Sequence, residues 1–166
     1  NYGPPYHCHT FDRYVPTAEY LDSNPEFFSL VGGQRVGGQA KGQLCLTNEA
    51  LKPIFLNSLL EYIRQGEEKA KAEGVPAPRI YDVSQNDNRK YCECDKCMAF
   101  VEKHEHSGLY LTFINWLAGE VAKTHPQIYI STLAYHYSEP PPKGGIRAAS
   151  NVVVKLTDTL TNQAAS

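Results

Sequence analysis

Apolar residues recur at helical spacing from residue 51 onward: Leu51, Ile54, Phe55, Leu59, Tyr62 and Ile63 form one stripe. Glu61, Arg64, Glu67, Glu68 and Lys71 occupy the opposite side, as the wet face of an amphipathic helix requires. Asn48 stands where an N-cap belongs, Pro53 is tolerated in a first turn, and Gly74 and Pro76 close the helix. A second stripe, Leu109, Phe113, Ile114, Leu117 and Val121, predicts another helix, with Ser107 as its cap. Between and beyond the helices lie short apolar runs rich in Ile, Val and Tyr. Residues 79–84, 127–134 and 151–156 read as strands, and Gly42-Gln43-Leu44-Cys45-Leu46 as a shorter one. Residues 1–48 are otherwise loop-rich. Gly32-Gly33 and Gly37-Gly38 mark turns, and residues 17–21 and 25–28 read as single helical turns.

Strands alternating with helices favour a parallel sheet with the helices packed outside it. A closed eight-stranded barrel of this kind takes about 250 residues. The 166 residues here supply about four of its eight strands. The expected fold is therefore α/β, a partial (β/α)8 TIM-type barrel with about half of the strands present. Residues 1–166 form a single domain, the central fragment of such a barrel. The link from Ser138 to Ser150 lacks helical periodicity and interrupts the pattern.

Sixteen Lys and Arg against 18 Asp and Glu give a formal charge of −2, with no basic run interleaved with aromatics. That pattern excludes nucleic acid as the expected partner, because phosphate binding needs a concentrated basic face. No apolar stretch approaches the roughly 20 residues of a membrane-spanning helix. The start, Asn1-Tyr2-Gly3-Pro4-Pro5, has neither Met nor the layout of a signal peptide, so the chain reads as processed or trimmed. Eleven tyrosines suit a sugar cleft or an interface, since each ring offers an apolar face and a polar tip.

Ligands of α/β sheets bind at the C-terminal ends of the strands. The predicted ends are polar here: Thr47-Asn48, Gln85-Asn86-Asp87 and Tyr135-His136-Tyr137, with His7-Cys8-His9-Thr10 similar in character near the start. Asp87 follows an apolar strand and is the acid–base candidate, its alternative being a turn cap. Glycoside hydrolysis takes two carboxyl groups, or one aided by a substrate acetamido group. Glu139 and Asp158 are the candidate partners within the chain. A second constellation is Cys92-Glu93-Cys94-Asp95-Lys96-Cys97. Three thiols in six residues can converge on one ion, and a structural zinc takes a fourth ligand. Cys45 is the expected fourth, brought near by an adjacent strand end, with His104 or His106 as alternatives. A disulfide from Cys45 to one of the three is the competing reading, and five cysteines leave at least one thiol free.

The ordered set His9-Thr10-Phe11, Pro25-Glu26-Phe27-Phe28 with Gly33-Gln34-Arg35, Gln43-Leu44-Cys45-Leu46-Thr47-Asn48, and Ser84-Gln85-Asn86-Asp87 points to one family. The cysteine cluster, Asn115, Leu133-Ala134-Tyr135 and Asn151-Val152-Val153-Val154 continue the series. Together they resemble a "domain of unknown function" family of glycoside-hydrolase-like barrels. Its relatives include α-glucuronidase-like proteins and endo-β-N-acetylglucosaminidases. The resemblance implies a secreted, periplasmic or cell-surface setting of polysaccharide degradation. It also implies that His9, Asn86, Asp87 and Tyr135 face a sugar cleft. The expected activity is hydrolysis of complex glycans, N-acetylated or uronic-acid-containing. Asp87 would act as general acid or orient an acetamido group, His9 and Asn86 would bind hydroxyls, and Tyr135 and Tyr137 would stack on a ring. The rivals are a non-catalytic carbohydrate-binding barrel and a metal-stabilised structural module. Raw sheet edges on a half-barrel predict self-association.

Overall fold

Two long helices and three short strands set the architecture of the computed structural model, which describes residues 1–157. Tyr2 lies parallel beside Ile80 through a single bridge, and the chain then turns through two short helices, Phe11–Tyr14 (α1) and Thr17–Tyr20 (α2). A 3-10 turn at Pro25–Phe27 leads into a hairpin of Ser29–Val31 (β1) and Gln34–Val36 (β2). Gly32 and Gly33 form its tip with φ of 55° and 80°, the conformation that matches a two-residue turn to the twist of the strands. Next come Leu51–Glu73 (α3), Ile80–Asp82 (β3), Asp95–Ala122 (α4), Tyr129–Ala134 (β4) and Val152–Leu156 (β5).

Strands β3, β4 and β5 form one parallel sheet in that order, Ile80 opposite Tyr129 and Ile130 opposite Val152. The fold is mixed α/β, and the described residues form no closed barrel. Leu51, Phe55, Leu59 and Ile63 of α3 and Phe113, Ile114, Leu117 and Val121 of α4 pack against one face, with Tyr81 and Ile130 beneath them. Tyr81 points to this side, its hydroxyl 3.4 Å from the Ile63 carbonyl. Its neighbour Asp82 points to the other side, where Ser131 and Lys155 meet it, as the two-residue period of a strand dictates.

The structure corrects several sequence-based boundaries. Gly42–Leu46 joins the sheet nowhere; Leu44 makes only one antiparallel bridge, to Phe28. The parallel company beside β3 is Tyr2 instead. Asn48 does not cap α3. Ala50 holds the cap position, while the Asn48 Oδ1 accepts the Ala50 N–H at 2.9 Å, a turn just ahead of the helix. The far end behaves as expected, Gly74 adopting φ of +66° while Val75 N–H donates to the Ala70 carbonyl at 3.0 Å. Helix α4 starts 12 residues before Ser107, at Asp95, and breaks at Glu105 (φ 66°, ψ 167°). The apolar stripe found in the sequence belongs to the part after the break. The part before it carries Asp95, Lys96, Glu102 and Lys103 among few buried apolar residues, which hid its period. Between β4 and β5 the proline-rich link forms no helix beyond the 3-10 turn His136–Ser138.

Candidate metal centre and strand-end face

A Cys-x-x-Cys pair at a helix start sets two side chains on one side of the first turn. Cys94 is the N-cap of α4 and Cys97 lies in its first turn, where the helix dipole favours negative charge. The loop before the helix brings Cys92 alongside. Cys45 arrives from the stretch that lies against the 27–29 backbone, its N–H bonded to the Phe27 carbonyl at 2.8 Å. The Cys45 Sγ is 3.7 Å from that of Cys94 and 3.8 Å from that of Cys97. All four sulfurs lie within 4.8 Å of one another, a group placed to hold a metal ion. All five cysteines are free thiols, with Cys8 apart from the cluster.

Polar donors surround the sulfurs. The Leu30 N–H donates to Cys92 Sγ at 3.4 Å, and the Arg35 guanidinium approaches the same sulfur at 3.8 Å. Thr47 Oγ1 is 3.2 Å from Cys97 Sγ. Hydrogen bonds from Cys92 and Cys97 hold the Cys45 thiol far below its ordinary pKa. The same sharing pushes Cys92 up to about 11, and Cys97 higher still. Thiolates, not thiols, ligate a metal, so a bound cation would favour ionisation across the whole group. The two histidines weighed as fourth ligand are occupied elsewhere. His104 Nδ1 meets the Lys143 carbonyl at 3.3 Å, and the His106 ring packs on Tyr91 at 4.1 Å.

Of the polar runs expected to converge, the structure brings together His9, Asp87 and Tyr135, while Thr47 lies at the cysteine cluster. His9 Nδ1 is 2.9 Å from the Gln85 carbonyl, and its ring meets Tyr135 edge-on at 5.5 Å. The Tyr135 hydroxyl donates to Asp87 Oδ1 at 2.9 Å. Burial, followed by the adjacent carboxylate, raises the Tyr135 pKa. Asp87 is exposed at the protein surface. His136 stacks on Tyr135 at 3.8 Å and meets Arg89 Nη2 at 3.1 Å; its pKa is lowered by burial and then by that guanidinium. Both His9 and His136 hold φ of 53°, a conformation uncommon outside glycine and often found where a site is held in a set shape.

Two expected cleft residues lie elsewhere. Asn86 is buried, its Nδ2 donating to the Gly42 carbonyl at 3.0 Å and its Oδ1 accepting the Asp12 N–H at 3.1 Å. Its side chain builds the loop rather than facing solvent. Tyr137 turns from the strand ends into an aromatic group, its hydroxyl 2.8 Å from that of Tyr110 and its ring beside Tyr91 and His106. A continuing strand would put Tyr135 and Tyr137 on one face, but the 3-10 turn His136–Ser138 breaks that period and the two rings diverge. Glu139 lines an apolar pocket on the helix side of β4, and Asp158 lies outside the described residues.

Sequence reasoning missed a buried charge pair. Asp82 is fully buried and accepts bonds from Lys155 Nζ at 2.7 Å, Ser131 Oγ at 3.1 Å and the Ser84 hydroxyl. Burial raises its pKa against the opposing pull of Lys155. Lys155 also donates to the His7 carbonyl at 2.6 Å, tying the N-terminal segment over the sheet. A lysine inside the run Val152-Val153-Val154-Lys155-Leu156 was the available signal, since an isolated charge in an apolar strand needs a partner. Arg89 gave no comparable pattern, and His136 and Gln43 stood out only as members of the runs 135–137 and 42–46.

These features define an α/β domain with a parallel sheet, a polar strand-end face and a four-cysteine cluster spaced for a metal ion. The chain belongs to the family described as Domain of unknown function (DUF4838), whose model matches residues 1–166. No curated protein and no solved structure matches it.

Proposed function

We infer that this chain is part of a glycan-acting barrel whose sugar site is the strand-end face, with the cysteine cluster holding a structural zinc ion. The observation that carries the glycan reading is that Asp87 and Tyr135, beyond the C-terminal ends of the parallel strands β3 and β4, meet His9 of the N-terminal segment. An aromatic ring, a histidine and a carboxylate are thereby joined by contacts of 5.5 Å and 2.9 Å. The reaction is glycoside hydrolysis in a secreted or cell-surface setting. Asp87 would transfer the proton or hold an acetamido group, His9 would bind sugar hydroxyls, and Tyr135 would flank the ring and fix Asp87 through its hydroxyl. Hydrolysis takes a second function, which an N-acetylated substrate brings in its own acetamido oxygen.

Asp87→Asn is expected to lower turnover of N-acetylated or uronic-acid glycans by at least about a hundredfold, the usual scale of acid–base assistance. Glycan binding by calorimetry should change little. A non-catalytic glycan-binding barrel is the second reading, favoured because Asp87 stands exposed at the surface, with its carboxylate already bonded by the Tyr135 hydroxyl. Binding without turnover in the unaltered protein would select it. Loss of neither property in Asp87→Asn would remove Asp87 from both.

The zinc reading rests on spacing. Four sulfurs about 2.3 Å from one ion in a tetrahedron stand about 3.8 Å apart, and Cys45 Sγ stands 3.7 Å from Cys94 Sγ and 3.8 Å from Cys97 Sγ. Four protein ligands leave no open position, so the ion's work is structural. Elemental analysis of protein purified without chelator should find about one zinc per chain. Absence of metal together with two missing free thiols would mean a disulfide instead.

A further inference from the structure

The stretch Gly42–Cys45 serves both candidate sites at once. Cys45 enters the cysteine cluster, while Gln43, two residues earlier, is buried under the loop that carries Asp87. The Gln43 side chain grips that loop on both sides of Asp87. Its Oε1 accepts the Asn86 N–H at 2.9 Å, and its Nε2 donates to the carbonyls of Asn86 at 2.9 Å and Asn88 at 3.0 Å. The Gly42 carbonyl adds bonds from Asn86 Nδ2 at 3.0 Å and Asn88 Nδ2 at 3.2 Å. The stretch itself is fixed from behind. Gln43 N–H donates to Ser29 Oγ at 3.1 Å, and Ser29 N–H donates to the Gln43 carbonyl at 2.9 Å. A Cβ at Gly42 would fall 2.1 Å from the Val36 carbonyl oxygen, so the backbone passes with no room to spare.

We propose that metal bound at the cysteine cluster sets the position of Asp87 through Gln43, which acts as a positioning residue between the two sites. This rests on the metal reading above. The linkage has a definite path: the ion fixes the Cys45 sulfur, the extended backbone from Cys45 to Gln43 transmits that constraint, and Gln43 holds the peptide groups flanking Asp87. Coupling between sites is reciprocal, so loosening the Gln43 grip must also weaken metal binding. The strand-end face is thereby ordered by an ion that never touches substrate.

The test uses the full chain, loaded with zinc and stripped of it, with zinc content measured in every sample. In the unaltered protein, zinc should slow amide exchange at Asn86 and Asn88 by at least about tenfold relative to the stripped form, within the usual range of coupling between sites. The Ile130 amide, inside the sheet, serves as the control for global opening. In Gln43→Ala the chain should still take up one zinc, but the effect of zinc on those two amides should fall below about twofold. If stripping opens the whole chain, so that Ile130 exchanges as well, the reciprocal measurement decides. Zinc affinity in a chelator competition should then be at least about fivefold weaker in Gln43→Ala, and more so than in Ile128→Val, a core change remote from both sites. Uptake of zinc with unchanged exchange at Asn86 and Asn88 overturns the coupling, as does equal zinc affinity in Gln43→Ala and Ile128→Val. A chain that takes up no zinc at all overturns the metal reading and the coupling with it, an outcome told apart by the metal content itself.

Discussion

His106 packs its ring between Tyr91 at 4.1 Å and Tyr137 at 5.1 Å. Burial among these rings lowers its pKa below the ordinary 6.5, against a weaker opposite pull from Glu105. A base with a lowered folded-state pKa binds fewer protons folded than unfolded, so stability rises with pH across that window. The contribution is fully present above about 6.5 and is lost as pH falls through the lowered value. Urea unfolding of the unaltered chain and His106→Phe, each between pH 5 and 8, should therefore diverge only below about pH 6.5, the variant losing less. Parallel curves throughout would place the ring in water. At this scale the sequence exposed those residues whose type departs from their surroundings: three cysteines in six positions, and an aspartate following an apolar strand. Tyr137 shows the limit. It shares its chemistry with Tyr135, and only the 3-10 turn after β4 decides which of the two faces the strand ends.

Helix α3 crosses β3 at Gly66, where an added Cβ would stand 2.4 Å from the Tyr81 hydroxyl oxygen and 3.2 Å from Pro4 Cδ. Alanine improves a helix interior by about 1 kcal/mol over glycine, whereas overpacking a filled contact costs about 1–3 kcal/mol. Gly66→Ala should thus lower stability by about 1–2 kcal/mol net. In a Tyr81→Phe background the loss should shrink by at least about 1 kcal/mol, because the obstructing atom is gone and the hydroxyl's own bond is a weak one. Chemical denaturation of the four proteins in this cycle measures the difference; an unchanged cost would mean that Pro4, not Tyr81, sets the contact. The helix period of α3 was legible because its stripe runs unbroken from Leu51 to Ile63. Residues 42–46 looked equally like a strand. The propensity was satisfied by a single bridge, since this stretch meets the hairpin side of the molecule and never reaches the parallel sheet.

Among the described residues, β5 leaves the outer edge of the sheet without a partner strand and exposes Val153, Val154 and Leu156, the last at 69%. Val154 also lines an apolar pocket of about 200 Å³ beside Ser107 and Thr132, whose hydroxyls are buried without a hydrogen-bond partner. An open edge flanked by apolar surface favours pairing between copies. The 166-residue chain is expected to run as a dimer or larger species in light scattering, and Val154→Lys should shift it toward monomer. A monomer at high concentration would contradict this. The break at Glu105 has a different consequence. Glu105 pairs with Lys143 and His104 accepts the Lys143 N–H at 3.2 Å, so the joint is pinned to the loop between β4 and β5. A continuous helix would carry any inserted residue forward as a rotation of about 100° in every side chain that follows. Here the rotation stops at the joint, so the cysteine-bearing turn takes its phase from the cluster it serves while Leu109, Phe113 and Leu117 take theirs from the core. The segment before Glu105 is in that sense a separate rotor, its angle fixed by the sulfurs and not by the helix that follows.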